Sequence, residues 1–377
     1  MDQRPSKPLE AGTTDPAAAV ATLPADPSAP PALGVHGALP ADPSAAPDPE
    51  ACDGGQPRGS VGPLHRVKWV LALIAIVVVF VVGQAVGIGL GASLAAFSHA
   101  VRHGTGTMSE AAIQSLVDEG LARGLSSATV EGQLAMLVGQ LTVLALIGPL
   151  WLWMRRRAFM PLRARSWSRR DAGRIAGALV VGGIGFQFAM SPALSLLSQV
   201  FVQTFEEYGA LMERALGDAA LVEFISIVVL APLLEEVACR GAMLECGLRA
   251  LLPWSRERGA RGIGVDARTF WTANFLQALA FAVMHGNVVQ TSYALIFGMA
   301  LGWVCWRTGC LRYAVLLHMA VNGSSYLLSA FELATAEVLG PLAFLFVLAL
   351  IGVGCLAASW RALKPLLGVG ALRMHRS

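Results

Sequence analysis

From Trp69 onward the chain consists of long apolar blocks separated by short polar stretches rich in arginine. Each block lasts about 17–25 residues and lacks the polar face of a soluble helix, which is the length that crosses a ~30 Å hydrocarbon core. The pattern predicts spans near Trp69–Phe97, Leu134–Met154, Ile175–Val200, Leu221–Cys246, Phe270–His285, Val289–Trp306, Tyr313–Leu328 and Leu339–Trp360. Phe97–Gln133 reads as a polar loop with amphipathic helical pieces, and Gln203–Leu216 as a short interfacial helix. The first 63 residues differ in kind. They hold thirteen of the twenty prolines, and Leu23-Pro-Ala-Asp-Pro-Ser-Ala29 returns as Leu39-Pro-Ala-Asp-Pro-Ser-Ala45. Such a segment cannot bury enough apolar surface to offset its ordering entropy. The predicted fold is an all-α membrane protein with about eight transmembrane helices and a disordered Pro/Ala-rich N-terminal tail. Its expected parts are the tail (1–63), N-terminal helices and polar loops (64–218), a polar-studded membrane core (219–330), and a last helix with a short basic tail (331–377).

Composition supports the membrane class: the 377 residues are 55% hydrophobic and 14% charged, whereas a soluble domain carries about a quarter charged residues. The net charge of +3 is small, but its placement is informative. Arg66 and Lys68 precede the first span, and Arg155, Arg156, Arg157, Arg163, Arg165, Arg169 and Arg170 follow the second. Arg249, Arg256, Arg258, Arg261 and Arg268 follow the fourth, Arg307 and Arg312 the sixth, and Arg361 and Lys364 the eighth. The alternate loops are mainly acidic, with Glu206, Glu207, Glu213, Asp218, Glu332 and Glu337. By the positive-inside rule this predicts a multi-pass cell-membrane protein with both termini in the cytoplasm. The six cysteines show no knuckle or redox spacing and read as small apolar fillers. No basic patch interleaved with aromatics suggests nucleic acid. Gly83, Gly87 and Gly91, and again Gly298 and Gly302, mark close helix packing.

Ionisable groups inside hydrocarbon each cost roughly 2.5–3.5 kcal/mol, so they persist where they are paired or useful. Leu230-Ala-Pro-Leu-Leu-Glu235-Glu236-Val-Ala-Cys-Arg240-Gly241 places three of them late in the fourth span. Glu236 and Arg240, four apart, can neutralise each other, while Glu235 points about 100° away without a local partner. A structural salt-bridge network and a functional carboxylate account for this motif equally well. Two histidines tip the balance: Phe281-Ala-Val-Met-His285 ends the fifth span, and His318-Met-Ala-Val-Asn322 lies in the seventh. Together with a spare glutamate they can activate water and hold an oxyanion, or supply imidazole and carboxylate ligands to zinc. No H-E-x-x-H, G-x-S-x-G or G-x-G-D signature is present, so Ser324 and Ser325 are poor nucleophile candidates.

Glu235-Glu236…Arg240, Phe281…His285 and His318…Asn322 resemble, in order, the E-E-x-x-x-R, F-x-x-x-H and H-x-x-x-N motifs of the CPBP family of intramembrane proteases. That family comprises CAAX prenyl endopeptidases and bacterial relatives that include bacteriocin-immunity (Abi-type) proteins. The resemblance covers roughly residues 220–325. It implies that Glu235 activates water with help from His285, that His318 and Asn322 stabilise the oxyanion, and that Glu236, Arg240 and Phe281 support the site. If a metal such as Zn2+ is used, Glu235, His285 and His318 are its ligands; a metal-free mechanism fits the same residues. An aromatic is common where Cys239 stands, so packing beneath the site is expected to differ. The implied partner is a membrane-embedded or lipid-anchored protein or peptide substrate, with CAAX-type prenylated proteins among the possibilities. A non-proteolytic immunity or scaffold protein is an alternative, as is an ion- or proton-coupled transporter, although no second copy of the Glu-Glu-Arg pattern marks two related halves.

One expectation is demanding. Glu235 and His318 fall toward the arginine-rich side, whereas His285 falls nearer the opposite one. Convergence requires the fifth helix to project into the cytoplasm, which Asn274 and Gln277 would suit, or the link after His285 to dip inward.

Overall fold

The computed structural model describes residues 62–160, 167–215, 220–252 and 265–367. The chain divides into two units, Met1–Pro57 and Arg58–Ser377, and every described residue belongs to the second. The tail up to residue 61, Arg163, Arg165, Arg256, Arg258, Arg261 and Asp218 lie outside the described residues.

The described residues form helices and no strands. Pro63 opens α1 (Pro63–His103), whose 41 residues reach ~60 Å, about twice the hydrocarbon thickness. The helix therefore runs well beyond the span expected at Trp69–Phe97. Ser109 caps α2 (Glu110–Leu125) and Thr129 caps α3 (Val130–Met154), so the expected polar loop contains a full helix. The glycine seam lies between α1 and α3. A Cβ on Gly87 would stand 2.6 Å from Gly139 Cα, and one on Gly91 2.5 Å from Ala135 Cα. Val78, Val82, Leu90 and Leu94 face outward on α1 as a lipid-facing stripe. Ser168 caps α4 (Arg169–Ser198), which packs on the last helix where Gly185 meets Cys355 and Leu356. The short α5 (Val202–Ala215) stands where an interfacial helix was expected.

A composite central rod follows. It consists of α6 (Ala220–Phe224), the π-helical π1 (Ile225–Leu230), α7 (Ala231–Glu236), the π-helical π2 (Val237–Met243) and α8 (Leu244–Leu251). Every residue from 236 to 250 is buried. A helix enclosed on all sides by protein can hold charge that lipid would expel. Asp266 caps α9 (Ala267–Val283), and Asn287 caps α10 (Val288–Thr308). Gly309, at φ 67°, turns the chain into α11 (Leu311–Leu339), and α12 (Pro341–Leu366) ends the fold.

Six helices, α1, α3, α4, α10, α11 and α12, are long and apolar enough to cross a membrane. The other two expected spans are helical but lie outside that set: the central rod is charged and divided into short segments, and α9 has only 17 residues. The protein is an integral membrane protein, with six rather than eight helices meeting that measure among the described residues.

The basic helix ends are joined in two sets. His65 Nε2 is 2.8 Å from Arg249 O, and Arg249 Nη2 donates to Arg157 O at 3.2 Å, which joins the starts or ends of α1, α3 and α8. Trp167 Nε1 donates to Thr308 O at 3.4 Å, and Arg307 Nη2 donates to Leu367 O, which joins α4, α10 and α12.

Candidate active site

The central rod dictates the site through its register. In π1 each carbonyl is served five residues on, as where Ala231 N–H donates to Ser226 O. The next donor in that register would be residue 232, a proline without an N–H, so Ile227 O is left over. Asn322 fills the gap: its Nδ2 donates to Ile227 O at 2.9 Å. The proline of the first motif and the asparagine of the third are therefore two halves of one local repair, which pins α11 to the rod.

Glu236, on the same rod, is fully buried, and its Oε1 accepts from Arg240 Nη1 at 2.8 Å and from His318 Nδ1 at 2.9 Å. Arg240 is held on three sides. Its Nη2 donates to Gly298 O at 3.0 Å, and its guanidinium lies 4.6 Å from the Phe281 ring centroid. Gly298 permits this approach, since a Cβ there would stand 3.1 Å from both Arg240 Nη2 and a Phe281 ring carbon. Because Nδ1 of His318 faces the Glu236 carboxylate, its Nε2 is turned the other way, 3.6 Å from Glu235 Oε2. Phe297 and Phe281 meet the His318 ring edge to face at 5.2 and 5.9 Å, fixing its plane.

His285 follows the end of α9. Its Nδ1 donates to Phe281 O at 2.9 Å, which leaves Nε2 with a free lone pair, and its ring meets Phe281 at 4.8 Å. The depth mismatch read from the sequence is met by the shortness of α9, which ends at the level of the cavity, and by Gly286 at φ 69° turning directly into α10. Asn274 and Gln277, which would suit a projecting fifth helix, are fully buried: Asn274 Nδ2 donates to Met299 O at 2.9 Å, and Gln277 Nε2 to Asn274 Oδ1 at 2.7 Å. They join α9 to α10, and Gly302 provides the space, since a Cβ there would overlap the Asn274 amide.

A cavity of about 470 Å3 is lined by Glu235, Phe281, His285, His318 and Asn322. Glu236 and Arg240 lie behind it, fully enclosed. Five of the seven side chains singled out in the sequence thus line one space, and the other two lie behind it. Ser324 and Ser325 donate to carbonyls of their own helix, Val321 O and Asn322 O. Among the described residues, no three histidine, cysteine, aspartate or glutamate side chains are gathered closely enough to hold a metal ion. Both histidines present Nε2, the usual ligand atom, but the set as placed does not fit a metal centre.

The cavity also has a wall that the sequence reading passed over. Gln84 from α1, Gln133 and Gln140 from α3, and Gln290 and Tyr293 from α10 line it. These residues carry no formal charge, so counting ionisable groups in apolar spans does not find them; the available signal was three glutamines inside two otherwise apolar helices.

Residues 217–324 match the family model described as type II CAAX prenyl endopeptidase Rce1-like, in agreement with the resemblance read from the three motifs. The matched stretch holds the central rod, α9, α10 and the first half of α11, while α1 to α5 and α12 lie outside it. No curated protein and no solved structure matches the chain. The family match supports intramembrane endopeptidase activity in general terms.

Proposed function

We propose that the protein hydrolyses a peptide bond of a membrane-associated protein, a prenylated CAAX-type tail being one candidate, with water activated by Glu235. The observation that carries this reading is the placement of Glu235 Oε2 3.6 Å from His318 Nε2, in a cavity that also holds His285. Glu235 and His318 both line the cavity, and the Glu236 carboxylate accepts from Nδ1 behind the His318 ring.

Glu235 then takes a proton from water while His285 Nε2 accepts the water's second hydrogen and orients it. The hydroxide adds to the substrate carbonyl carbon. His318 Nε2–H, directed by the Glu236 carboxylate behind it, donates to the oxyanion. Asn322 assists with the N–H that Ile227 O does not use. Collapse breaks the C–N bond, and Glu235 returns its proton to the leaving amine. Every step is assigned to side chains, since those present do not assemble a metal set.

Glu235→Gln is expected to abolish cleavage in reconstituted membranes with abundance and thermal midpoint unchanged. Undiminished turnover would remove the assigned base. The wild type is expected to stay active after exhaustive chelation; loss of activity that zinc restores would replace the side-chain scheme.

A further inference from the structure

The mechanism above leaves the glutamine wall without a task. Gln133 is 2% exposed, and among the described residues neither its Nε2 nor its Oε1 has a hydrogen-bond partner. Gln140, 6% exposed, gives Nε2 to Ser226 O at 3.3 Å, but its Oε1 is unpartnered. Buried polar groups in folded proteins are nearly always paired, so two such amides beside one cavity indicate an absent partner. Seven residues apart on α3, they share a face and stand ~10 Å apart along the axis.

A primary carboxamide carries donor and acceptor side by side, as a peptide group does. A prenyl or acyl chain offers neither and would leave the wall unpaired in hydrocarbon. A helical peptide has already satisfied its own main chain. A chain with free N–H and C=O groups would complete the wall. An extended chain rises about 3.3 Å per residue, so the two glutamines would engage peptide groups roughly three residues apart.

We infer that Gln133 and Gln140 form a main-chain recognition wall that selects substrates presenting an extended, non-helical segment. Gln133 pairs through both amide atoms with one peptide group, and Gln140 Oε1 accepts an N–H from another. Both glutamines come from α3, outside the family-matched residues. Selectivity for an extended segment is thus built by the helices that flank the catalytic core. The inference rests on the hydrolytic reading for where the scissile bond lies, but binding at the wall can be measured without turnover.

The test uses the full chain in nanodiscs carrying Glu235→Gln. The probe is a fluorescent eight-residue peptide ending in S-farnesylcysteine and three apolar residues, with a set of analogues in which one main-chain amide at a time is an ester. Ester replacement at two positions is expected to weaken binding about three- to tenfold each. Adding Gln133→Leu should erase the sensitivity at one position, and Gln140→Leu at the other. Gln133→Leu should also melt no lower than its parent, because it loses no protein partner, whereas a structural glutamine would melt lower. Equal ester penalties with and without the leucines, or a lowered melting point for Gln133→Leu, would overturn the wall. Ester coupling without cleavage by the wild type would keep the wall and remove the hydrolase. Cleavage without coupling would do the reverse.

Discussion

At the scale of single residues, Asn322 lines the cavity and also holds Ile227 O on the rod. Its bond to Ile227 O exists because Pro232 cannot supply an N–H to the five-residue register of π1. Asn322→Leu should therefore cost about 1 kcal/mol by orphaning a half-buried carbonyl, in addition to any loss of turnover. Pro232→Ala restores a donor at that point. In its background Asn322→Leu should be distinctly less destabilising, and a double-mutant cycle on thermal stability in detergent measures the difference. An equal cost in both backgrounds would break the link between the two motifs. The asparagine was legible in the sequence as a partner of His318, one turn away on the same helix. Its second duty was not, because a π register arises from packing around the rod and leaves no pattern in the spacing of apolar residues.

At the scale of elements, the rod carries a second buried pair nine residues after the first. Arg249 Nε donates to Glu245 Oε1 at 2.6 Å, and Phe159 N–H donates to Glu245 Oε2 at 3.0 Å. Arg249 also lies 4.8 Å from the Trp69 ring centroid, so one guanidinium ties α8 to α1 and to the chain leaving α3. Through this latch the helices that carry the glutamine wall are held to those that carry the candidate catalytic residues. Glu245→Ala should destabilise the fold by about 3–5 kcal/mol, since it leaves a buried arginine without its counter-ion. The double replacement Glu245→Leu with Arg249→Met should be milder than the single one, as judged by the fraction of folded protein on size exclusion. A double variant worse than the single would show that the pair stabilises more than it costs to bury. In the sequence Arg249 stands just past the expected span end at Cys246, where it is indistinguishable from the other positive charges of that loop. Where apolar runs were long and unbroken, as in α3, α4 and α10, spans and helices agree closely. The agreement failed for Asn274 and Gln277, because polar side chains on a short helix suit solvent and buried helix-to-helix bonds equally well until the neighbouring glycines are placed.

At the scale of the whole molecule, the charge asymmetry read along the sequence has a structural counterpart. The helix ends that carry Arg66, Arg157 and Arg249 are joined by one set of contacts, and those that carry Arg169, Arg307 and Lys364 by another. The link between α1 and α2, residues 104 to 109, is largely exposed and stands 41 helical residues from the start of α1, at the other end. Positive residues are retained on the cytoplasmic side, so these basic ends should face the cytoplasm and the α1–α2 link the opposite compartment. The native thiols favour a direct test. Cys239, Cys246, Cys305 and Cys310 are buried and Cys355 is partly buried, so replacing Cys52 and Cys355 by serine leaves little background for an impermeant maleimide. A cysteine placed at Thr105 should then label in intact cells, and one at Arg156 only after permeabilisation. The opposite pattern would invert the molecule and put the catalytic cavity within reach of a different set of proteins. Glu235 stands about 21 Å along the rod from Arg249, and Gln133 and Gln290 lie near the starts of α3 and α10, far from their basic ends, so the cavity sits toward the end of the bundle opposite the basic residues. A segment that is already extended could enter it without first unwinding a transmembrane helix, and this is the kind of chain the unpaired amides of α3 are suited to hold.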